Sequence, residues 1–304
     1  MVNLSVNLGG VMMKNPVTVA SGTFGYGQEY AQLLDVSQLG AVTVKGLRMT
    51  PHAGNALPRH VEVEGGLVNA IGLQGIGVDA FVENYLPFLR DQNVPVIVNI
   101  WGVTEDEYVA VAERLTGVAG VAALEVNISC PNVKEGGVAF GANPHTAAAL
   151  IAKIRRCTTL PVIPKLAPNV PDIKPFARAV EDAGADAISL INTLPAMVID
   201  IETRRPVLAN RTGGLSGPAV HPVAVKLVYD AAQAVKIPIL AMGGIMEPAH
   251  ALEFIIAGAT AVAVGTANFI DPHTAPRVID GIAAYLQRHG LASVRELTGS
   301  VAAP

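Results

Sequence analysis

Cysteine is almost absent from this chain of 304 residues: Cys130 and Cys157 are the only two. Two thiols cannot make a disulfide framework, a four-thiolate zinc site or an unaided iron–sulfur cluster. A reducing, cytoplasmic setting is therefore expected. Charge is also scarce, at 15% of residues, while hydrophobic residues make up 51%. That balance excludes a disordered or tail-dominated protein. Aromatics are only 5%, so the core has to be built from Val, Ile, Leu and Ala. The net charge of −4 and a pI near 6.0 give no bulk attraction for nucleic acid, and none is expected as a partner.

Other absences narrow the reading further. Met1–Pro16 has no basic segment followed by an apolar one, so no secretory leader is expected. The mean hydropathy of +0.42 raises the question of a membrane. The charge-free stretch Phe254–Ile270 is broken by Gly258, Thr260, Gly265, Thr266 and Asn268. It falls short of the ~18 apolar residues of a span, so no membrane association is expected. The histidines at 52, 60, 145, 221, 250, 273 and 289 show neither H-x-x-x-H nor H-E-x-x-H spacing, and no metal site is expected. There is no Walker loop, no dinucleotide glycine turn, no low-complexity segment and no interdomain linker. A single domain over residues 1–304 follows.

What the chain does have is a rhythm. Short apolar runs recur at Val17–Ser21, Ala41–Lys45, Val94–Ile100, Ala122–Ile128, Pro161–Leu166, Ala185–Asn192, Ile237–Met242 and Thr260–Gly265. They are continuous rather than alternating, as strands buried on both faces are. Helical spacing fills the intervals at Asp79–Arg90, Glu105–Leu115, Pro144–Arg156, Asp172–Ala183, His221–Val235, Pro248–Ala257 and Ala275–Arg288. Asp79, Thr104, Asn143 and Glu247 are expected as N-caps, the last two followed by an N1 proline. Gly117, Gly184 and Gly258 are expected at helix ends. Eight strands alternating with helices predict an α/β fold of the (β/α)₈ TIM-barrel type, with a doubly wound open sheet as the competitor. Residues Leu4–Leu8 and Val11–Met13 around Gly9-Gly10 predict an N-terminal hairpin plugging the lower end. Long insertions follow strand 2 (Gly46 to Val78, with a short strand at His60–Val63) and strand 6 (Thr193 to Val220). Loops of that length are usually functional.

In such barrels chemistry gathers where the strands end. Those ends read Ser21, Lys45, Asn99, Asn127 with Cys130, Lys165, Asn192-Thr193, Gly243-Gly244 and Gly265-Thr266. Ordinary strand ends are polar because they meet water, but lysine recurs here where Ser, Asp or Gly would be the ordinary turn residue. A buried ammonium must be paired or lose its charge. No acidic residue ends a strand, Glu125 lying in mid-strand, so Lys45 and Lys165 imply an anionic ligand: a phosphate, a carboxylate or a reduced flavin. The competing reading is two snorkelling surface lysines. Glycines after strands 7 and 8, with Gly217, suit a phosphate approached by backbone N–H groups. Cys130, at a loop root before Pro131, suits a nucleophile, acid or base; taken alone, a plain buried thiol is the commoner case. Gly136, Gly137 and Gly141 suit a hinged lid. Trp101 is expected in the core, and Cys157 has no assigned role.

Several segments together resemble the class 1 dihydroorotate dehydrogenases. They are Val19-Ala20-Ser21-Gly22, Val44-Lys45-Gly46, Asn69-Ala70-Ile71-Gly72-Leu73-Gln74 and Asn127-Ile128-Ser129-Cys130-Pro131-Asn132, then Pro164-Lys165-Leu166, Ile191-Asn192-Thr193, Ser216-Gly217-Pro218-Ala219, Gly243-Gly244-Ile245 and Val264-Gly265-Thr266. The likeness runs in order from about Ser5 to Pro272. Cysteine rather than serine at the base position points to the soluble class, and Val133-Lys134-Glu135-Gly136-Gly137 resembles the NAD-linked 1B branch. Gly75 and Arg48-Met49-Thr50 depart from the family pattern.

The resemblance implies an FMN-binding barrel that oxidises (S)-dihydroorotate to orotate in pyrimidine (UMP) biosynthesis. Cys130 would be the base taking the C5 proton while hydride passes from C6 to the flavin. Ser21, Lys45, Gly46, Asn99, Asn127, Lys165, Ile191, Gly217, Gly243, Gly244, Gly265 and Thr266 would hold FMN. Lys45, Asn69, Ala70, Ile71, Gly72, Leu73, Asn127, Asn132, Asn192 and Thr193 would hold the substrate. Orotate has amide edges and a carboxylate, which asparagine and lysine match. Lys165 would tune the reduced flavin. Electrons would leave through a partner subunit carrying FAD and a [2Fe–2S] cluster to NAD⁺, in a heterotetramer of two catalytic and two electron-transfer subunits around a homodimer core. The alternatives are a fumarate-dependent class 1A enzyme, another FMN-barrel pyrimidine reductase acting on free uracil or RNA, and a non-catalytic barrel.

Overall fold

The computed structural model describes residues 2–129 and 140–303. Cys130, Asn132 and the glycines Gly136 and Gly137 of the expected lid lie outside the described residues.

Eight parallel strands form one sheet: β3 (Val17–Val19), β4 (Val42–Leu47), β7 (Val96–Ile100), β8 (Val121–Asn127), β9 (Val162–Lys165), β10 (Ile188–Leu190), β15 (Ile239–Met242) and β16 (Ala261–Val264). Their spatial order is β3-β16-β15-β10-β9-β8-β7-β4, the sequential order of a barrel. No ladder joins β3 to β4, but the seam is held by hydrogen bonds. Thr18 Oγ1 donates to the Ala41 carbonyl at 2.8 Å and lies 3.2 Å from Thr43 Oγ1, and Gly40 N–H donates to the Val17 carbonyl at 2.8 Å. The barrel strands are almost wholly buried, as their unbroken apolar runs required. Each fully buried Val, Ile or Leu stabilises the fold by roughly 1.5–3 kcal/mol.

The hairpin of β1 (Val6–Leu8) and β2 (Val11–Met13) closes the N-terminal end of the barrel. Val6, Leu8, Val11 and Met13 turn inward. Gly9 packs so tightly that a Cβ there would stand 2.4 Å from the Asp186 carbonyl oxygen, just before β10.

The helices follow the sequence reading with local corrections. Glu105–Leu115 and Pro144–Cys157 start on the expected caps: Thr104 Oγ1 accepts from Glu107 N–H, and Asn143 Oδ1 from His145 N–H. The helix expected over Asp79–Arg90 is two helices, Val78–Asn84 and Leu86–Asp91. Pro87 sits in the first turn of the second, where its missing N–H costs nothing. Asp79 is not the N-cap; that position is Gly77, and Asp79 lies in the first turn. Glu247 holds the N-cap position of Pro248–Ala257 without a side-chain cap. Gly117, Gly184 and Gly258 all take positive φ at helix ends.

The two long insertions meet. β5 (His60–Val63) and β6 (Gly66–Asn69), from the first, join β11 (Leu194–Ala196) and β14 (Gly213–Ser216), from the second, in an antiparallel sheet ordered β11-β14-β6-β5. This sheet has its own small core of Val68, Ala70 and Leu208. A further ribbon, β12 (Ile199–Asp200) with β13 (Arg205–Pro206), extends from the second insertion.

Candidate active site

A cavity of about 690 Å³ opens at the C-terminal ends of the barrel strands and under the antiparallel sheet. Every residue expected to hold the flavin lines it. So do Asn69, Ile71, Gly72, Leu73, Asn192 and Thr193 from the expected substrate set. Ala70 does not: it is fully buried in the core of the mouth sheet. Ala70 follows the end of β6 and packs with Val68, while Asn69 and Ile71 on either side of it line the cavity.

The floor is a polar network around Glu125, which has no exposed surface. Asn99 Nδ2 donates to Glu125 Oε2 at 2.6 Å, and Ser189 Oγ donates to Oε1 at 2.9 Å. Lys165 Nζ stands 3.7 Å from Oε2. The expectation that Lys165 lacks an acidic partner is therefore wrong. Glu125 and Asn127 are two apart on β8 and share its inward face. That period of two was the missed signal. A mid-strand residue in a barrel faces the interior just below the mouth.

Lys45 is different. The register between β4 and β7 shifts between Val44 and Leu47, and Lys45 and Gly46 sit in that irregularity, which re-aims side chains. Burial pushes the Lys45 ammonium below its usual pKa; Arg59 adds to this and Glu29 opposes it. Among the described residues no carboxylate comes within ion-pair distance of it. Lys45, rather than Lys165, is the cation that calls for an anion.

Two features mark hydrogen-bonding capacity left for a ligand. Asn99 Oδ1 is buried and has no partner among the described residues; Gly46 leaves room beside it, since a Cβ there would stand 2.8 Å away. At the opposite end, no described residue accepts from the backbone N–H of Gly217, Gly243, Gly244, Gly265 or Thr266. Gly217, Gly243 and Gly244 have φ of 103°, 141° and 67°, a conformation that turns backbone N–H groups outward without Cβ interference. Thr266 Oγ1 donates to Ser216 Oγ at 2.8 Å, tying the mouth sheet to the turn after β16.

Between them, three side chains form a chain of amides and hydroxyls. Asn192 Nδ2 donates to Ser129 Oγ at 2.9 Å and lies 3.5 Å from Asn127 Oδ1. Tyr108 Oη donates to the Asn127 carbonyl at 2.7 Å, fixing that strand end. Residues missed in the sequence are Glu29, Tyr30, His60, Glu62, Gln74 and Phe269, which also line the cavity. His60 and Glu62 alternate on β5, so the strand was legible but its facing was not. Trp101 is core. Cys157 is half-buried, its Sγ donates to the Ile154 carbonyl, and burial raises its pKa.

Fold and cavity together define an α/β-barrel protein whose strand-end mouth is lined by a buried lysine, asparagine side chains and glycine backbone. Comparison with known proteins then places it. The chain belongs to the dihydroorotate dehydrogenase family, whose model matches residues 3–286. It is 54% identical over 299 residues to the dihydroorotate dehydrogenase B (NAD(+)), catalytic subunit, of Geotalea uraniireducens, covering 98% of both chains. It is 55% identical over 298 residues to the protein of the same name from Desulforamulus reducens, again covering 98% of both. The crystal structure of DHODH in complex with ferulenol from Eimeria tenella shares the fold, with a TM-score of 0.82 at 24% identity over 98% of this chain and 88% of that one.

Proposed function

We propose that this chain is the FMN-binding catalytic subunit of an NAD⁺-linked dihydroorotate dehydrogenase, oxidising (S)-dihydroorotate to orotate for pyrimidine synthesis. The observation that carries the reading is the pairing of unmet groups in one cavity. Among the described residues, Asn99 Oδ1 at one end meets no donor, and glycine N–H groups at the other meet no acceptor. A flavin mononucleotide has a ring N–H for the first and a phosphate for the second, and the residues present fit it. FMN, when bound, supplies the hydride-accepting ring.

The chain's own residues do the rest. Gly217, Gly243, Gly244, Gly265 and Thr266 hold the phosphate; Ser21, Gly46 and Ile191 line the flavin's place; Lys165 and Asn99 hold the ring's polar edge. Lys45 meets the substrate carboxylate, and its burial makes that charge pairing stronger than one in water. Asn69, Asn127, Asn192 and Thr193 hold the amide edges, each able to donate and accept, and Ile71, Gly72 and Leu73 close the site. Cys130 takes the C5 proton and Asn132 completes the substrate contacts; this assignment rests on the matched sequence motif.

The relatives' names, "B (NAD(+)), catalytic subunit", support a separate electron-transfer subunit. We assign that partner FAD and a [2Fe–2S] cluster, in a cytoplasmic heterotetramer built on a homodimer of this chain. Among the described residues no helix is long and apolar enough to cross a membrane.

The test is the visible spectrum of the purified chain and its bleaching on addition of dihydroorotate. A colourless protein that takes up no FMN, or a flavoprotein bleached by dihydrouracil but not by dihydroorotate, overturns the reading. Co-expression with the partner should give a larger complex on size exclusion. A chain that never associates and reduces fumarate belongs instead to the 1A branch.

A further inference from the structure

We propose that His221 and Glu253 form a positioning pair that holds the Gly243–Gly244 peptide with its N–H turned into the cavity, and so sets the preference for a phosphorylated over an unphosphorylated flavin. The inference rests on the flavin reading above.

His221 opens the helix His221–Ala232 and is 7% exposed. It lies behind the cavity wall rather than on it. Its Nδ1 is 2.9 Å from the Gly243 carbonyl oxygen, and its Nε2 is 3.2 Å from Glu253 Oε2 on the next helix, Pro248–Ala257. Both neighbours are acceptors. A ring nitrogen that carries hydrogen donates to each, so the imidazole is held between a carbonyl and a carboxylate. Phe254 meets the ring edge-on at 5.0 Å and His250 at 4.6 Å. His250 is itself held in place: its Nδ1 accepts from Met246 N–H at 3.2 Å, and its Nε2 faces Glu247 at 3.8 Å.

The consequence follows from peptide geometry. The Gly243–Gly244 bond is trans, and in a planar trans peptide the C=O and N–H point in opposite directions. Fixing the Gly243 carbonyl on His221 therefore turns the Gly244 N–H away from the helix. Gly244 lines the cavity, and no described residue accepts from that N–H. With φ of 141° and 67° and no side chain on either residue, nothing local opposes rotation of this peptide. The rotated form would aim a carbonyl oxygen at the phosphate. Packing also ties the two together, since a Cβ on Gly244 would stand 2.8 Å from His221 Cβ. The pair thus decides whether this stretch of the wall offers an anion a donor or an acceptor.

The experiment compares dissociation constants for FMN and for riboflavin, read by flavin fluorescence, on flavin-free native protein and two variants. His221→Phe keeps a ring against Phe254 and removes both donors. Glu253→Gln removes the charge but keeps an acceptor. His221→Phe should weaken FMN by at least about 10-fold, the scale of one hydrogen bond to a charged group. Riboflavin should stay within about twofold. Glu253→Gln should act in the same direction by about threefold. Equal weakening of FMN and riboflavin, or unchanged FMN binding, overturns the proposal. If His221→Phe does not fold, Glu253→Gln decides, because that side chain is 53% exposed and its replacement leaves the core intact. A native protein that binds no flavin at all refutes the flavin reading instead, a result distinct from native binding that the variants leave unselective.

Discussion

Lys165 Nζ lies 3.7 Å from Glu125 Oε2 inside the barrel, with the lysine side chain 7% exposed and the glutamate not exposed at all. Asn99 and Ser189 donate hydrogen bonds to that carboxylate. The pair explains how a lysine is tolerated beneath the mouth without a ligand. It also means that the net field at the floor of the cavity is smaller than a lone ammonium would give.

Removing one partner should cost more than removing both. Lys165→Met leaves a buried carboxylate with only neutral donors, which typically costs about 3–5 kcal/mol. The double variant Lys165→Met/Glu125→Gln should recover a good part of that loss, giving a non-additive cycle. Urea unfolding of the flavin-free chain measures both. Additive losses would show that the two groups do not interact.

Lys45 gives a pH dependence with a defined sign. Its folded pKa lies below the ordinary value of 10.5, chiefly through burial. The unfolded chain then holds the proton more tightly, so stability of the ligand-free protein rises with pH between the lowered value and 10.5. An anionic ligand against Lys45 reverses the preference, because it favours the ammonium. Orotate affinity should therefore fall as pH climbs through the lowered value. Lys45→Met should abolish both trends, leaving weak orotate binding without that pH dependence, read by calorimetric titration and by melting temperature across pH.

Gly46→Ala tests the space beside the orphaned amide. The added Cβ would stand 2.8 Å from Asn99 Oδ1 and 3.2 Å from Trp101 Cδ1. Overpacking of this kind usually costs about 1–3 kcal/mol. FMN affinity should fall by about 10-fold or more while the circular-dichroism spectrum stays native. Unchanged FMN binding would place the flavin elsewhere in the cavity.

Cys130→Ala addresses the proton. Loss of a positioned base usually costs about 10²–10⁴-fold in rate, so stopped-flow reduction of the bound flavin by dihydroorotate near neutral pH should slow by that order. The flavin spectrum in the absence of substrate should not change. Undiminished reduction would remove Cys130 from the reaction.

The barrel was legible because its signals are local. Continuous apolar runs such as Val96–Ile100 are read residue by residue, and so are caps such as Thr104 and Asn143. The cavity residues were legible for the same reason, since the end of each run marks the mouth. What escaped was lateral. His60 and Glu62 read as members of a strand, but their place over the cavity depends on β6 pairing with β14, almost 150 residues along the chain. Ala70, just beyond β6, packs into the small core with Val68 and Leu208, while its neighbours Asn69 and Ile71 face the cavity.

Element type, element order and the polar residues at the strand ends were thus determined by the chain's own pattern, because hydrophobic period and turn chemistry act over a few residues. Which charges meet was decided only in three dimensions. β8 places Asn99 beside Glu125 and Asn127 beside Lys165 through its pairing with β7 and β9, and β10 adds Ser189 beside Lys165. Inter-strand register is a property of the closed barrel. It follows from the packing of the whole interior, and no single segment carries it.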